Sequence, residues 1–239
     1  MEFLWIIGTL FGLVLAYILF LAICSLFVSP KKEYDKHSRF YRALVNQFTW
    51  IVIKVMRIRL HVEGMEKVPA GTRRLLFVGN HRSNFDPIVT WYAFQAWQMA
   101  FISKPSNFKI PIFGRFIRKC CFMAIDRENP RNAIKTINRA ADLLNRGEVS
   151  VGVYPEGTRS KRCVLLPFHN GVFKIAQKAN APVVVLSIEG TEKVHKNYPL
   201  HRSDVYITVL DVLSAEEVKQ SKTEVIGDRV RELLENKLR

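Results

Sequence analysis

The chain opens with an apolar run, residues 3–28, that carries no charged side chain. A helix of that length crosses a bilayer's hydrocarbon core with some tilt. A cleaved leader fits less well, because Glu2 rather than a basic residue precedes the run and the apolar part is too long. The pattern then becomes helical. Phe40, Tyr41, Leu44, Val45, Phe48, Ile51, Val52, Val55 and Met56 recur at intervals of three and four, behind Ser38, a residue suited to cap a helix. Arg39, Arg42, Lys54, Arg57 and Arg59 surround them. Two readings of this segment are compatible: an aromatic-rich helix lying in the membrane interface, or a helix packing its apolar face on a core. Residues 1–57 are thus expected to form a membrane-associated helical hairpin, a transmembrane leg followed by an interfacial amphipathic one.

From about residue 58 the period shortens. Apolar, β-branched runs at 58–64, 74–80, 98–104, 120–126, 149–155, 181–189 and 205–211 read as strands. Several are continuous rather than alternating, as strands buried on both faces are. Helical stretches separate them: one after Pro87, one over 130–145 that stops at Gly147, one over 171–180, and one over 215–238. Strands alternating with helices predict an α/β domain over 58–239, with a largely parallel central sheet flanked by helices. Ligands in such folds gather at the carboxyl ends of the strands.

Composition narrows this modestly. With 239 residues, 49% apolar, the chain suits one domain plus an appendage. Thirty-six basic against twenty-one acidic residues give +15, which favours a polyanionic partner: nucleic acid, anionic membrane or a phosphorylated substrate. Lys31, Lys32, Lys36, Arg39 and Arg42 directly follow the apolar run, so the remainder of the chain is expected on the cytoplasmic face. The four cysteines, Cys24, Cys120, Cys121 and Cys163, have no metal-ligand spacing. They fit a reducing compartment, with no sign of an activated thiolate.

The polar motifs sit where the predicted strands end. In NHRSNFDP, residues 80–87, Asp86–Pro87 reads as a helix start, Asp as the cap and Pro at the first helical position. His81 has no such explanation. Histidine accepts a proton near neutral pH when a carboxylate fixes its ring, and a loop of five residues can bring Asp86 to it. In YPEGTRS, residues 154–160, Gly157 permits an unusual φ and Arg159 offers a planar fork for a phosphate; the plainer reading is a surface turn with a Glu156–Arg159 ion pair. In KPSNFKIPIFG, residues 104–114, Lys104 leaves a strand and Pro111, Phe113 and Gly114 make an apolar bend. Arg127 follows the strand over 120–126. A non-enzymatic alternative, a membrane-tethered basic binding module, explains the charge but neither His81 nor residues 156–160.

Taken together and in this order, N-H-x-x-x-x-D at 80–86, the lysine-containing segment running to I-D-R over 104–127, P-E-G-T-R-S over 155–160 and the apolar strand over 181–188 resemble the glycerolipid acyltransferase family, most closely its 1-acyl-glycerol-3-phosphate acyltransferases. Tyr154, Cys121 and Val185 depart from the family's usual Phe, Gly and Pro. The resemblance implies transfer of a fatty acyl group from a thioester to the sn-2 hydroxyl of lysophosphatidic acid, giving phosphatidic acid. Acylation of glycerol-3-phosphate or another lysophospholipid is the alternative. It implies His81 as general base oriented by Asp86, and substrate contacts from Lys104, Arg127, Glu156, Gly157, Thr158 and Arg159, with Glu156 positioning Arg159 or the glycerol. No metal or cofactor is expected. The partners implied are lysophosphatidic acid, acyl-CoA or acyl carrier protein, and membrane lipid, with no role for nucleic acid. Backbone amides near residues 80–84 are the expected oxyanion stabilisers.

Overall fold

The structure, a computed structural model, describes residues 1–126 and 129–238. Its first helix, α1 (Glu2–Leu26), is apolar throughout and outward-facing over most of its length. It meets the rest of the molecule at Tyr17, whose Oη donates to Gln47 Oε1 at 2.7 Å, and at its foot, where Cys24 is buried and Tyr41 Oη donates to the Cys24 carbonyl at 2.8 Å. The second helix, α2 (Arg39–Val55), buries Tyr41, Leu44, Val45 and Ile53 against the globular part and leaves Phe40, Phe48 and Trp50 half exposed. Ser38 stands at the cap position in extended geometry, but its side chain does not cap; its N–H donates instead to the Lys119 carbonyl. The core-packing reading of this helix therefore holds for one face, and an aromatic strip remains outward on the other.

Seven strands form one sheet: β1 (Ile58–Glu63), β2 (Leu76–Gly79), β3 (Met99–Ser103), β4 (Met123–Ala124), β5 (Ser150–Val153), β6 (Val183–Glu189) and β7 (Ser203–Leu213). Their spatial order is β1-β7-β6-β2-β5-β3-β4. Every neighbouring pair is parallel except β6–β7, so the sheet is largely parallel, as the strand pattern predicts. Alternate residues of one strand enter opposite cores. Leu76 and Val78 face the layer of α5 (Pro130–Asn145), α6 (Lys174–Ala179) and α9 (Thr223–Leu238); Leu75 and Phe77 face α2, α3 (Asp86–Ala93) and α4 (Phe113–Lys119). Burial on both faces is why these strands read as continuous apolar runs.

Four details differ from what the sequence predicts. The stretch over 215–238 is not one helix: α8 (Ala215–Gln220) opens on a Ser214–Glu217 capping box, and Ser221 in extended geometry separates it from α9. Phe113 and Gly114 do not form a mere bend with Pro111 but start α4, with Ile112 at its cap position. Asp86 is the first residue of α3 rather than its cap, Phe85 holding the cap position, and Pro87 falls one place later than expected. A short helix, α7 (Val194–Asn197), lies between β6 and β7, in a stretch without a periodic signal.

Candidate active site

Strands β2, β3, β5 and β6 run parallel, so the loops leaving them meet at one edge of the sheet. The loop after β2 brings His81 Nδ1 to 2.7 Å from Asp86 Oδ2. Asp86 is fully buried and has no helix amide as partner. Its carboxylate turns back into the loop, accepting the N–H of Arg82 at 2.6 Å and of Ser83 at 2.7 Å. Thr191 Oγ1, just beyond β6, donates to the other oxygen, Oδ1. A carboxylate already filled by N–H and O–H donors takes Nδ1 as a further donor, which leaves Nε2 as the basic nitrogen. The His81 ring is also clamped by stacking on Tyr154, with ring centroids 4.4 Å apart and planes at 13°. Tyr154 in turn lies parallel to Phe101. Burial, and next the Asp86 charge, push the Tyr154 phenol well above its ordinary pKa, so it stays a neutral platform.

The loop after β5 fixes the backbone of the same histidine. Glu156 Oε1 accepts the His81 N–H at 2.6 Å, Oε2 accepts the Leu166 N–H at 2.9 Å, and Ser160 N–H donates to the His81 carbonyl at 2.8 Å. Glu156 is 3% exposed; burial raises its pKa, and the two amide donors work against that rise. Its carboxylate bonds to these two backbone amides rather than to Arg159. It is a staple between two loops. Of the amides expected to stabilise an oxyanion, those of His81, Arg82 and Ser83 donate to Glu156 and Asp86.

A cavity of about 740 Å³ opens beside His81. Lys104, Gly157, Thr158 and Arg159 line it, together with His169, which the sequence alone did not single out. Gly157 has φ +67°, the left-handed region that its lack of a Cβ permits. Val45 and Phe48 from α2, with Trp91, Phe113 and Phe122, add apolar side chains to the lining. Asp86 and Glu156 lie behind these walls rather than on them. Arg127, the remaining expected contact, falls outside the described residues. Burial pushes the Cys120 and Cys121 thiols up to about 12, so neither is poised as a nucleophile. Among the described residues no group of three or more His, Cys, Asp or Glu side chains is placed to hold a metal ion.

A family model described as Acyltransferase matches residues 59–189, more than half of the chain. The chain belongs to the acyltransferase family. That match takes in His81, Asp86, Lys104 and residues 156–160. A chloroplastic 1-acyl-sn-glycerol-3-phosphate acyltransferase of Brassica napus is 31% identical over 67% of this chain and 46% of its own length. The Escherichia coli protein of the same description is 26% identical over 68% of this chain and 66% of its own length. This acyltransferase chain spans just under half the length of its relatives from Brassica napus, Chlamydomonas reinhardtii and Arabidopsis thaliana. The crystal structure of the 1-acyl-sn-glycerophosphate (LPA) acyltransferase PlsC from Thermotoga maritima superimposes with a TM-score of 0.69 over 93% of this chain and 87% of that one, at 24% identity. The two share the fold.

Proposed function

We propose that this acyltransferase moves a fatty acyl group from an acyl thioester to the sn-2 hydroxyl of lysophosphatidic acid, forming phosphatidic acid. The observation that carries the reading is the His81–Asp86 pair, bonded at 2.7 Å, with His81 on the wall of a cavity lined both by Lys104 and Arg159 and by apolar side chains. The names of the relatives support the acceptor. The residues make chemical sense of the reaction. His81 Nε2 takes the proton of the acceptor hydroxyl as its oxygen attacks the thioester carbonyl carbon. A C–O bond forms, the C–S bond breaks, and the departing thiolate recovers the proton from the imidazolium. Asp86 holds the ring and stabilises its cationic form. Arg159 and Lys104 bind the acceptor phosphate, and Thr158 and Gly157 shape that end of the cavity. Fixing the phosphate holds the hydroxyl against His81, and orientation of this kind lowers barriers by several kcal/mol, of order 10²-fold or more. The apolar walls receive the acyl chain. No cofactor is required, since the substrate oxygen is itself the nucleophile.

We further propose that α1 crosses the membrane and holds the catalytic domain on the cytoplasmic face, where an amphiphilic acceptor resides. Its 25 residues and mean hydropathy of 2.6 support this, as does the run of basic residues after it. The test is a donor and acceptor panel: purified full chain with acyl-CoA or acyl carrier protein thioester, against lysophosphatidic acid, glycerol-3-phosphate and a neutral lysolipid. Phosphatidic acid from lysophosphatidic acid at the highest kcat/KM is the expected result. A higher kcat/KM with glycerol-3-phosphate would reassign the acceptor, and no thiol release with any acceptor would end the reading.

A further inference from the structure

A second cavity, of about 470 Å³, shares one wall residue, Ile110, with the catalytic cavity. Its walls come from the 105–112 segment, from α4, and from Pro30 in the connector that leaves α1. Lys109, Arg115 and Arg118 line it, and no carboxylate does. Among the described residues none of these three cations forms an ion pair. Arg118 is the informative one. Its guanidinium lies over the Phe108 ring, 4.8 Å from the centroid, and its Nε is buried without a hydrogen-bond partner. Burial lowers its pKa, with Glu33 and Tyr34 partly opposing. A half-dehydrated guanidinium pre-oriented by stacking, with a donor to spare, is stabilised by an anion that brings acceptor oxygens.

The place of this cavity narrows which anion. Arg115 Nη1 donates to the Ser25 carbonyl at 2.9 Å, in the last turn of α1. A helix of 25 residues is about 37 Å long, against a hydrocarbon core of about 30 Å, so its last turn and Pro30 stand at headgroup depth. Phosphates of the cytoplasmic leaflet lie at that level. We propose that this second cavity is a non-catalytic site for the phosphate of an anionic membrane phospholipid. Arg118 and Lys109 would bind the phosphate oxygens, while Arg115 ties the site to the foot of α1. Because the 105–112 segment also carries Ile110 into the catalytic cavity, an occupied site would stiffen the wall beside Lys104. The proposal rests on α1 as the membrane leg and not on the acyl-transfer reading, and its test reads binding alone.

The full-length protein in neutral detergent micelles is titrated with phosphatidylglycerol or phosphatidylcholine, and bound lipid is counted by native mass spectrometry. Lys109→Gln/Arg118→Gln is compared with wild type and with a charge-matched control on and beside α8, Lys219→Gln/Lys222→Gln. The expected result is one preferred phosphatidylglycerol, bound about 10-fold more weakly by the pocket variant and as in wild type by the control. Equal affinity in the pocket variant would overturn the proposal. So would displacement of the lipid by millimolar inorganic phosphate, which would assign the site to the free ion, or by coenzyme A, which would assign it to the acyl donor. If the double variant does not fold, the exposed Lys109→Gln alone is expected to weaken binding about three-fold, and an unchanged affinity there counts against the site equally.

Discussion

At the residue scale the site is a histidine held from every side. Its ring is bonded to Asp86 and stacked on Tyr154, and its backbone is bonded to Glu156 and Ser160. Asp86 depends in turn on Thr191, whose hydroxyl fills the oxygen that the loop amides leave. Thr191→Val keeps the shape and removes that donor. Losing a hydrogen bond to a buried charged group costs about 1.5–3 kcal/mol. The expected outcome is a lowered melting temperature together with a kcat reduced about 10-fold at unchanged acceptor KM; an unchanged kcat would mean that Asp86 needs no such support. Arg159 belongs to binding instead. Arg159→Ala is expected to raise the KM for lysophosphatidic acid at least 10-fold with kcat little altered, whereas a lowered kcat at constant KM would give it a transition-state role. His81, Asp86 and Arg159 were legible in the sequence because they stand in compact motifs at strand ends. Glu156 was legible as a residue but not as a backbone staple, since a carboxylate's partners are not written in its motif. Thr191 lies some hundred residues from its partner in an unremarkable E-G-T-E-K turn. Only the parallel pairing of β2 and β6 brings the two together.

At the element scale, strand ends and helix packing shape the cavity. On β5, Gly152 stands opposite Phe101 of β3; a Cβ there would meet the Phe101 ring at 2.5 Å. Phe101 supports Tyr154, which supports His81. Gly152→Ala is therefore expected to cost about 1–3 kcal/mol of stability by overpacking and to lower activity through the stack. Wild-type activity and stability in that variant would dissolve the chain of contacts. The connector from α1 to α2 is tied down by His37, whose Nδ1 lies 2.6 Å from Glu148 Oε1 at the end of the α5–β5 turn. Burial, then the charge of Arg42, lowers the His37 pKa despite Glu148. Burial pushes Glu148 upward, but the His37 hydrogen bonds outweigh it and hold the carboxyl below its usual range. Both groups bind fewer protons folded than unfolded. Their contribution is complete above about pH 6.5 and is lost as pH falls through the folded pKa values. Thermal stability is thus expected to drop on acidification below pH 6.5, with a shallower slope in His37→Gln; parallel slopes would sink this assignment. All seven strands and the long helices were legible from their period. The break at Ser221 and the helix α4 were not, because a seven-residue helix that begins at an Ile-Phe-Gly turn carries too little period to separate it from a loop.

At the scale of the whole molecule, the two ends of the chemistry arrive from different places. Apolar lining comes partly from α2, the helix that follows α1, and cationic lining from loops at the carboxyl edge of the sheet. An amphiphile with an anionic head and a membrane-embedded tail fits that division, and the +15 charge draws it to the surface. Sequence alone conveyed the long apolar helix, the charge and the fold class, because each is a property of composition or period. It did not convey that α2 lines the cavity, which follows from which face of α2 packs on α3 and α4. The central claim is that His81, fixed by Asp86, is the base for acyl transfer inside this cavity. It is tested most directly by the rate of phosphatidic acid formation from an acyl thioester and lysophosphatidic acid, measured for the full chain and for His81→Ala at matched folding. The expected rate for the variant is below about 1% of wild type, in line with loss of a general base worth about 10²–10⁴-fold, with lysophosphatidic acid still bound. A folded His81→Ala protein that keeps more than about 10% of the wild-type rate would contradict the claim.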